Sequence, residues 1–435
     1  MEITNKDGKF LGSGGVVEGD RVYKVTTQTE FEELFGDSYG GYYFNNDSSG
    51  SPSGITNGGD VCKIPENTTI ILNPIQGTVD NSLTSGGAGI GDNGSNVYNG
   101  RPAYVLKNAI ELSDNVTIKG FNEADIVVIK DDSLSAAQED SIRFYNTHNG
   151  QDTSVTASGS TFTNVGDFTP NKGDLLHWAV DNSFYTVTNV VSTTVTVDRT
   201  PTAGTNTLSK MVTNVKMDGW SFDGRGGVHG LGGGVSGDDK DGGAFNIPYL
   251  GESKLNLKII NHKVVEVGSN GRGGAIYGNN TCYDITALNI YDCYAIYTGG
   301  VYGCDYSNFV ITRCVSDTSG GAEFCDFSTI KVINCIGYSN GGGAHKCDYS
   351  EIKAINCSAN SNGGGAYLCD YSKIIAINCS ASSGIIAHSC DNCESIWGTS
   401  GDTIVSCTLG GVRLGQGVAD TVTSNQVNTN GNYVD

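Results

Sequence analysis

Ser350-Glu351-Ile352-Lys353-Ala354-Ile355-Asn356-Cys357-Ser358-Ala359 is the stretch on which the fold turns. Ile352 and Ala354 alternate with Glu351 and Lys353, the period-two pattern of a strand with one buried face. The alternation slips at Ile355-Asn356-Cys357. An Asn in a left-handed corner accounts for the slip, because Asn tolerates that conformation. Asn334 and Asn378 hold the same place in the flanking segments.

Outward from this stretch the spacing repeats. Cys282, Cys304, Cys325, Cys347, Cys369 and Cys390 are 21 or 22 residues apart, as are Cys293, Cys314, Cys335, Cys357 and Cys379. In phase with the first series run Asp305, Asp326, Asp348, Asp370 and Asp391, then Tyr306, Phe327, Tyr349 and Tyr371, then Ser307, Ser328, Ser350 and Ser372. Ala322, Ala344 and Ala366 each follow a Gly-Gly pair; the last copy, Gly384-Ile385-Ile386-Ala387, is degraded. A sustained period of this length means a solenoid. The leucine-rich alternative fails, because no Leu-x-x-Leu-x-Leu frame occurs. Short β-branched runs bounded by Gly, Asn, Asp and Ser are strand and turn chemistry. With an Asn corner, a Gly-rich corner and an Asp-aromatic-Ser corner, each coil has three bends. The pattern predicts an all-β chain: a right-handed parallel β-helix with three short strands per coil.

Stacked coils place equivalent side chains about 4.8 Å apart. The cysteines are therefore expected as reduced packing residues. In-register parallel neighbours point the same way, whereas a disulfide needs converging Cβ vectors. No His-Cys or Cys-x-x-Cys pair repeats, Cys390 to Cys393 being a lone instance, so neither a metal nor a cofactor is expected. The expected structural ladder comprises Cys304, Cys325, Cys347, Cys369, Cys314, Cys335, Cys357 and Cys379, with Asp326, Asp348, Asp370, Asn334, Asn356 and Asn378. Stacked carboxylates repel, so the aspartates are expected to face water or accept hydrogen bonds from turn N–H groups and serines. A calcium chain is the alternative there, although the Gly-Gly-x-Gly-x-Asp repeat of calcium-binding β-rolls is absent.

Composition narrows the class. The 435 residues include 62 Gly, 7 Pro, 21 Tyr, 14 Phe and 3 Trp. That is too little proline for collagen and too many aromatics for a disordered chain. A formal charge of −21 makes nucleic acid and anionic membrane surfaces poor partners. No run of 18 apolar residues occurs, so no membrane insertion is expected. The start, Met1-Glu2-Ile3-Thr4-Asn5-Lys6, carries no basic segment followed by an apolar one. No signal peptide is expected, and synthesis in a cytoplasm follows.

Five regions are expected: 1–60, an N-terminal attachment and cap region; 61–150, the first coils; 151–206, an inserted small β module; 207–424, the main β-helix with its ladders; and 425–435, a tail. A short helix is expected over Thr29–Phe35, with a capping box from Thr29 to Glu32, covering the open end of the solenoid. Roughly 300 residues in coils of 22–25 give a rod about 60 Å long.

The opening coils (Lys63–Leu72, Ala109–Gly120, Ala124–Lys130), the segment Asp218–Gly224 and the ladders resemble the pectate-lyase-like superfamily of right-handed β-helices over about 60–424. The Gly-Gly-Ala corner is similar to repeats of polymorphic outer-membrane adhesins, whose companion Phe-x-x-Asn is replaced here by Ile-Asn-Cys. The insert, through Phe162, Gly173-Asp174-Leu175 and Thr193–Asp198, is similar to small β inserts of bacteriophage tail and appendage proteins. The chain thus resembles a virion tailspike or tail fibre. The resemblance implies a virion location, host-surface recognition and often a homotrimer. It also implies attachment to other virion proteins through the N-terminal region and, in some members, polysaccharide cleavage.

Cleavage on a β-helix face needs paired carboxylates, with Arg or Lys for lyase action. The candidates are Asp218, Asp223, Arg225 and Asp239, and the competing reading is Asp-Gly turns and a solvated loop. Trp178 and Tyr185 in the insert are expected as a glycan platform. The Tyr and Phe ladder is read as a packed corner, with a sugar-stacking face as the alternative. His345 and His388 occupy slots held by Glu323 or Tyr367 in other coils; such variable slots are expected to be exposed and non-catalytic. The leading expectation is a non-enzymatic structural and adhesive appendage binding host surface polysaccharide, and the alternative is a polysaccharide depolymerase on the same scaffold.

Overall fold

The computed structural model describes residues 2–4, 21–35, 61–64, 66–74, 97–98, 101–106, 109–121, 126–130, 142–143, 151–166, 168–224, 243–260, 262–264, 271–382, 387–393, 395–397, 403–405 and 421–423. Arg225, Asp239 and the tail 425–435 lie outside the described residues.

Residue pairing builds the rod one coil at a time. Asn308–Thr312 lies parallel to Thr329–Ile333, which lies parallel to Glu351–Ile355, which lies parallel to Lys373–Ile377. A second wall stacks Ala322–Glu323, Ala344–His345, Ala366–Tyr367 and Ala387–His388. A third is a separate five-stranded sheet through Lys263–Val264, Tyr294–Ala295, Val315–Ser316, Ile336–Gly337 and Ser358–Ala359. Parallel neighbours joined by such crossovers wind right-handed. The chain is a right-handed parallel β-helix.

The interior explains the composition. Ala344, Cys347, Ile352, Ala354 and Cys357 of a single coil are all buried. These are small or β-branched side chains, the sizes that suit a narrow tube. Adjacent-coil cysteines touch: the Cys347 and Cys314 amides lie 3.4 and 3.2 Å from the Cys369 and Cys335 sulfurs. Twelve described cysteines are free and buried. Burial pushes the Cys304, Cys314, Cys335 and Cys347 thiols well above their usual range, which denies them thiolate reactivity. Asn334, Asn356 and Asn378 turn their corners at φ 55°, 52° and 51°. Asn356 also donates to the Asn334 amide oxygen at 3.0 Å.

The helix Gln28–Phe35 buries Phe31, Leu34 and Phe35 in the same core as the coils, Phe31 stacking on Tyr104 at 5.0 Å. Gln28 mimics a strand, exchanging 3.0 and 2.9 Å hydrogen bonds with the Val105 backbone. The cap sits two residues earlier than the sequence suggested. Thr27 Oγ1 accepts from the Glu30 amide at 3.2 Å, and Glu30 Oε2 accepts from the Thr26 and Thr27 amides at 2.8 and 3.2 Å. The helix begins at Gln28, so Thr29 already lies inside it and Thr27 is the residue placed to cap it. Thr27→Ala is expected to cost about 1 kcal/mol of stability, measured by chemical denaturation.

The rod runs on past the insert. Lys216–Asp223 pairs with Thr117–Gly120 and Val127–Lys130 on one side and with Leu250–Ile260 on the other. Between these coils, Gln151–Ser158, Thr161–Thr163, Leu175–Trp178, Ser183–Val191, Thr194–Val197 and Gly204–Lys210 close an antiparallel barrel. Leu175, Phe184 and Met211 seat it on Tyr249 and Tyr283 of the rod. Lys210 pins the joint, 3.1 Å from Asp114 and 3.2 Å from Asp174. Burial alone would lower the Lys210 ammonium, but the two carboxylates outweigh it and hold the group above its usual range.

Candidate functional site

The residues singled out from sequence fall in different places. Asp218 and Asp223 share one strand, separated by a bend at Gly219, whose φ is 73°. Asp218 is exposed and Asp223 is buried. Trp178 and Tyr185 form no glycan platform. They are 0% and 3% exposed in the barrel core, each packed against Phe162, at 5.1 and 5.8 Å. Closing six strands turns these large rings inward, and their polar ends are satisfied by the Thr202 carbonyl at 3.0 Å and Asp181 at 2.8 Å.

The ladder aspartates form a hydrogen-bonded row. Asp305, Asp326, Asp348 and Asp370 each accept, through Oδ1, the backbone N–H of the next aspartate, at 3.0, 2.8, 2.8 and 2.7 Å. Burial, together with the neighbouring Asp326 charge, pushes Asp305 up to about 7 and Asp348 up to about 6. Beside them Ser307, Ser328 and Ser350 donate their amides to the serine hydroxyl of the next coil at 3.0, 2.9 and 3.0 Å. This is corner architecture. Among the described residues no group of three metal-ligating side chains gathers.

The outer row of the wall through Ala322–Glu323 is different. Its rungs are Tyr277, Tyr302, Glu323, His345 and Tyr367, then His388. Contrary to the sequence expectation, the slot is not exposed at His345, which is 5% exposed, or at Glu323, which is 4% exposed. The glycine-rich corner crosses close over this row, so a side chain pointing away from the core is still covered. Glu323 Oε2 accepts from Thr298 Oγ1 at 2.6 Å, and Oε1 lies 3.0 Å from His345 Nδ1. That contact is close enough for an ion pair but misaligned for a hydrogen bond. His345 stacks on Tyr367 at 5.1 Å, and Tyr367 leads on to His388 at 5.4 Å. Burial holds His388 below its usual range.

Two cations bracket the row. Arg272 lies over the Tyr302 ring at 5.1 Å, Tyr302 meets Phe324 edge-on at 5.4 Å, and Lys346 lies over Phe324 at 4.8 Å. Arg272, Phe324, Lys346 and Tyr367 are half-buried, so this cluster reaches the surface. A guanidinium and an ammonium flanking aromatic rings can hold an anionic group while the rings cover an apolar face. The adjoining carboxylate and imidazole can donate or accept a proton.

No family model matches the sequence, and no curated protein matches it. Solved structures that it resembles include the tailspike of Acinetobacter baumannii bacteriophage AP22 in complex with A. baumannii capsular saccharide. That chain is 10% identical, with a TM-score of 0.29 over 78% of this chain and 68% of that one. The tailspike of Pseudomonas phage phi297 is 11% identical, with a TM-score of 0.31 over 80% of this chain and 63% of that one. The tailspike of Pseudomonas phage LKA1 is 13% identical, with a TM-score of 0.24 over 71% of this chain and 73% of that one.

Sequence reasoning missed Arg272, Thr298, Glu323 and Lys346. The available signal was the break in periodicity: within repeats that conserve Cys, Asp, Ser and Ala slots, the slot after Ala changes from Glu323 to His345 to Tyr367 to His388. A slot the fold leaves unconstrained is where recognition can be built.

Proposed function

We propose that the protein is a structural and adhesive virion appendage, tailspike-like or tail-fibre-like, whose rod presents a binding surface to acidic polysaccharide of a host surface. The observation that carries this reading is the run Arg272–Tyr302–Phe324–Lys346, two cations bracketing two rings on a chain of net charge −21. Such an acidic chain repels polyanions in general, so a local cationic and aromatic cluster would select a ligand by contact rather than by long-range attraction. In this reading residues 1–60 attach to other virion proteins and the chain works as a homotrimer.

The test is a binding titration of the full chain against purified capsular polysaccharides and lipopolysaccharides. Arg272→Ala with Lys346→Ala should weaken binding at least tenfold while leaving the far-ultraviolet spectrum unchanged. Binding that survives the double substitution, or a wild-type chain that binds none of a broad panel, removes the reading. A second reading, polysaccharide cleavage, draws on Glu323 beside His345. The same incubations then release new reducing ends or unsaturated uronates, and Glu323→Gln suppresses them. No release, or release indifferent to Glu323→Gln, rules that second reading out.

A further inference from the structure

The Asp-aromatic-Ser corner turns through a left-handed residue in every coil. Asp284, Tyr306, Phe327, Tyr349, Tyr371 and Asn392 have φ of 56°, 52°, 54°, 54°, 53° and 53°. Asp and Asn suit that conformation, whereas a bulky aromatic in it costs about 1–2 kcal/mol. The two ends of the series prove the corner can be made without a ring. Four consecutive coils nevertheless place one there.

The rings stack as a ridge. Tyr306, Phe327, Tyr349 and Tyr371 follow one another with centroids 4.7, 4.8 and 4.7 Å apart and planes within 4°, 6° and 3°. They are 47%, 47%, 51% and 46% exposed. At its upper end the ridge continues through Tyr283, 5.2 Å from Tyr306, to Phe184 of the barrel at 4.7 Å. Ring faces inside the stack are covered by neighbouring rings, so water meets edges. A sugar stacks on a ring face, so saccharide is a poor occupant.

Half-exposed aromatic side chains of this size leave roughly 400 Å² of contiguous apolar surface, the scale at which a patch marks an interaction site. It is also about half of what one partner contributes to a standard interface. Three of the four rungs are self-complementary. The phenol hydroxyls of Tyr306, Tyr349 and Tyr371 make no hydrogen bond among the described residues, and a carboxyl stands next to each, at Asp305, Asp348 and Asp370. A symmetry axis parallel to the rod brings donors of one copy against acceptors of another at the three tyrosine rungs, because both share the same spacing, and sets Phe327 against its own copy.

We propose that the ridge Tyr306–Phe327–Tyr349–Tyr371 is the surface through which copies of this chain associate side by side. This rests on the oligomeric part of the proposed function and not on its saccharide part. Sedimentation velocity of the full chain at tens of micromolar should give an oligomer. Phe327→Asn with Tyr349→Asn, which installs the residue type already present at 392, should reduce it to the single-chain mass while keeping the far-ultraviolet spectrum of the folded coils. A wild-type monomer overturns both the oligomer and the ridge; a wild-type oligomer that the double variant leaves intact overturns the ridge alone. If the variant fails to fold, photosensitised dityrosine cross-linking of the wild-type chain decides. Inter-chain links at Tyr306, Tyr349 or Tyr371 support the ridge, and links confined to other tyrosines overturn it.

Discussion

Gly343→Val is expected to lower the unfolding free energy by about 3 kcal/mol or more, and to do so through the neighbouring coil as well as its own. A Cβ at Gly343 would run into the Gly365 carbonyl oxygen and lie 2.8 Å from the Ala354 methyl. The same corner one coil earlier, Gly321, is closed by the Gly343 carbonyl in turn. Both obstacles are backbone or inward-facing core, so neither can swing aside. Relief requires the coils to separate, which breaks the hydrogen bond from the Ala344 amide to the Gly365 carbonyl at 3.0 Å. Lys331→Val on an exposed strand position is the control and should stay within about 0.5 kcal/mol of wild type. Denaturant unfolding followed by circular dichroism reads both. A Gly343→Val chain as stable as the control contradicts close coil stacking at this corner.

The second large effect is a dependence on pH that runs opposite to ordinary acid denaturation. Asp305 and Asp348 titrate at about 7 and about 6 in the folded chain, against 3.8 for a free aspartate. The folded state therefore holds protons that the unfolded chain releases. Between about pH 4 and 7 the native form binds more protons, so stability falls as pH rises through that window and levels off above it. Asp326 and Asp370 are also raised, by the same burial, and act with the same sign. The slope has a ceiling of about 1.4 kcal/mol per pH unit for each group, reduced by water on the open side of the row. Asp305→Asn with Asp348→Asn keeps an oxygen to accept the Asp326 and Asp370 amides and removes the titration. The double variant should lose less stability than wild type between pH 4.5 and 8. Equal slopes for the two chains would count against a buried, proton-holding row.

The fold was legible because stacking imposes a constraint that sequence records directly. A side chain inside the tube must suit the coils above and below it, so Cys, Ala and Ile recur at 21–22 residues, and Asn334, Asn356 and Asn378 mark a corner by their own chemistry. The aromatic corner was harder to read. Nothing in residue preference assigns φ near 53° to Tyr349 or Phe327, and their exposure depends on which side of the Asp-Ser turn faces water. Trp178 and Tyr185 misled for a related reason: an insert protrudes, but a closed barrel still buries its largest rings. The Arg272–Tyr302–Phe324–Lys346 cluster spans four coils. Tyr302, Phe324 and Lys346 keep the 22-residue step, but Phe324 and Lys346 stand one slot on from the row of Tyr302, Glu323 and His345, and the residue type changes at each step. Its members are recognised as neighbours only once the register between coils is known.

Coil stacking also fixes a distance that no other arrangement of these residues reproduces. Thr286, Asn308, Thr329, Glu351 and Lys373 are successive partners across four parallel pairings. Spin labels carried on unnatural amino acids at positions 286 and 373, read by double electron–electron resonance, should show one narrow separation. That separation should be about 19 Å plus the reach of the labels, four rungs at about 4.8 Å each. A broad distribution, or a distance beyond about 40 Å, would contradict the stacked rod on which both the ladders and the ridge depend.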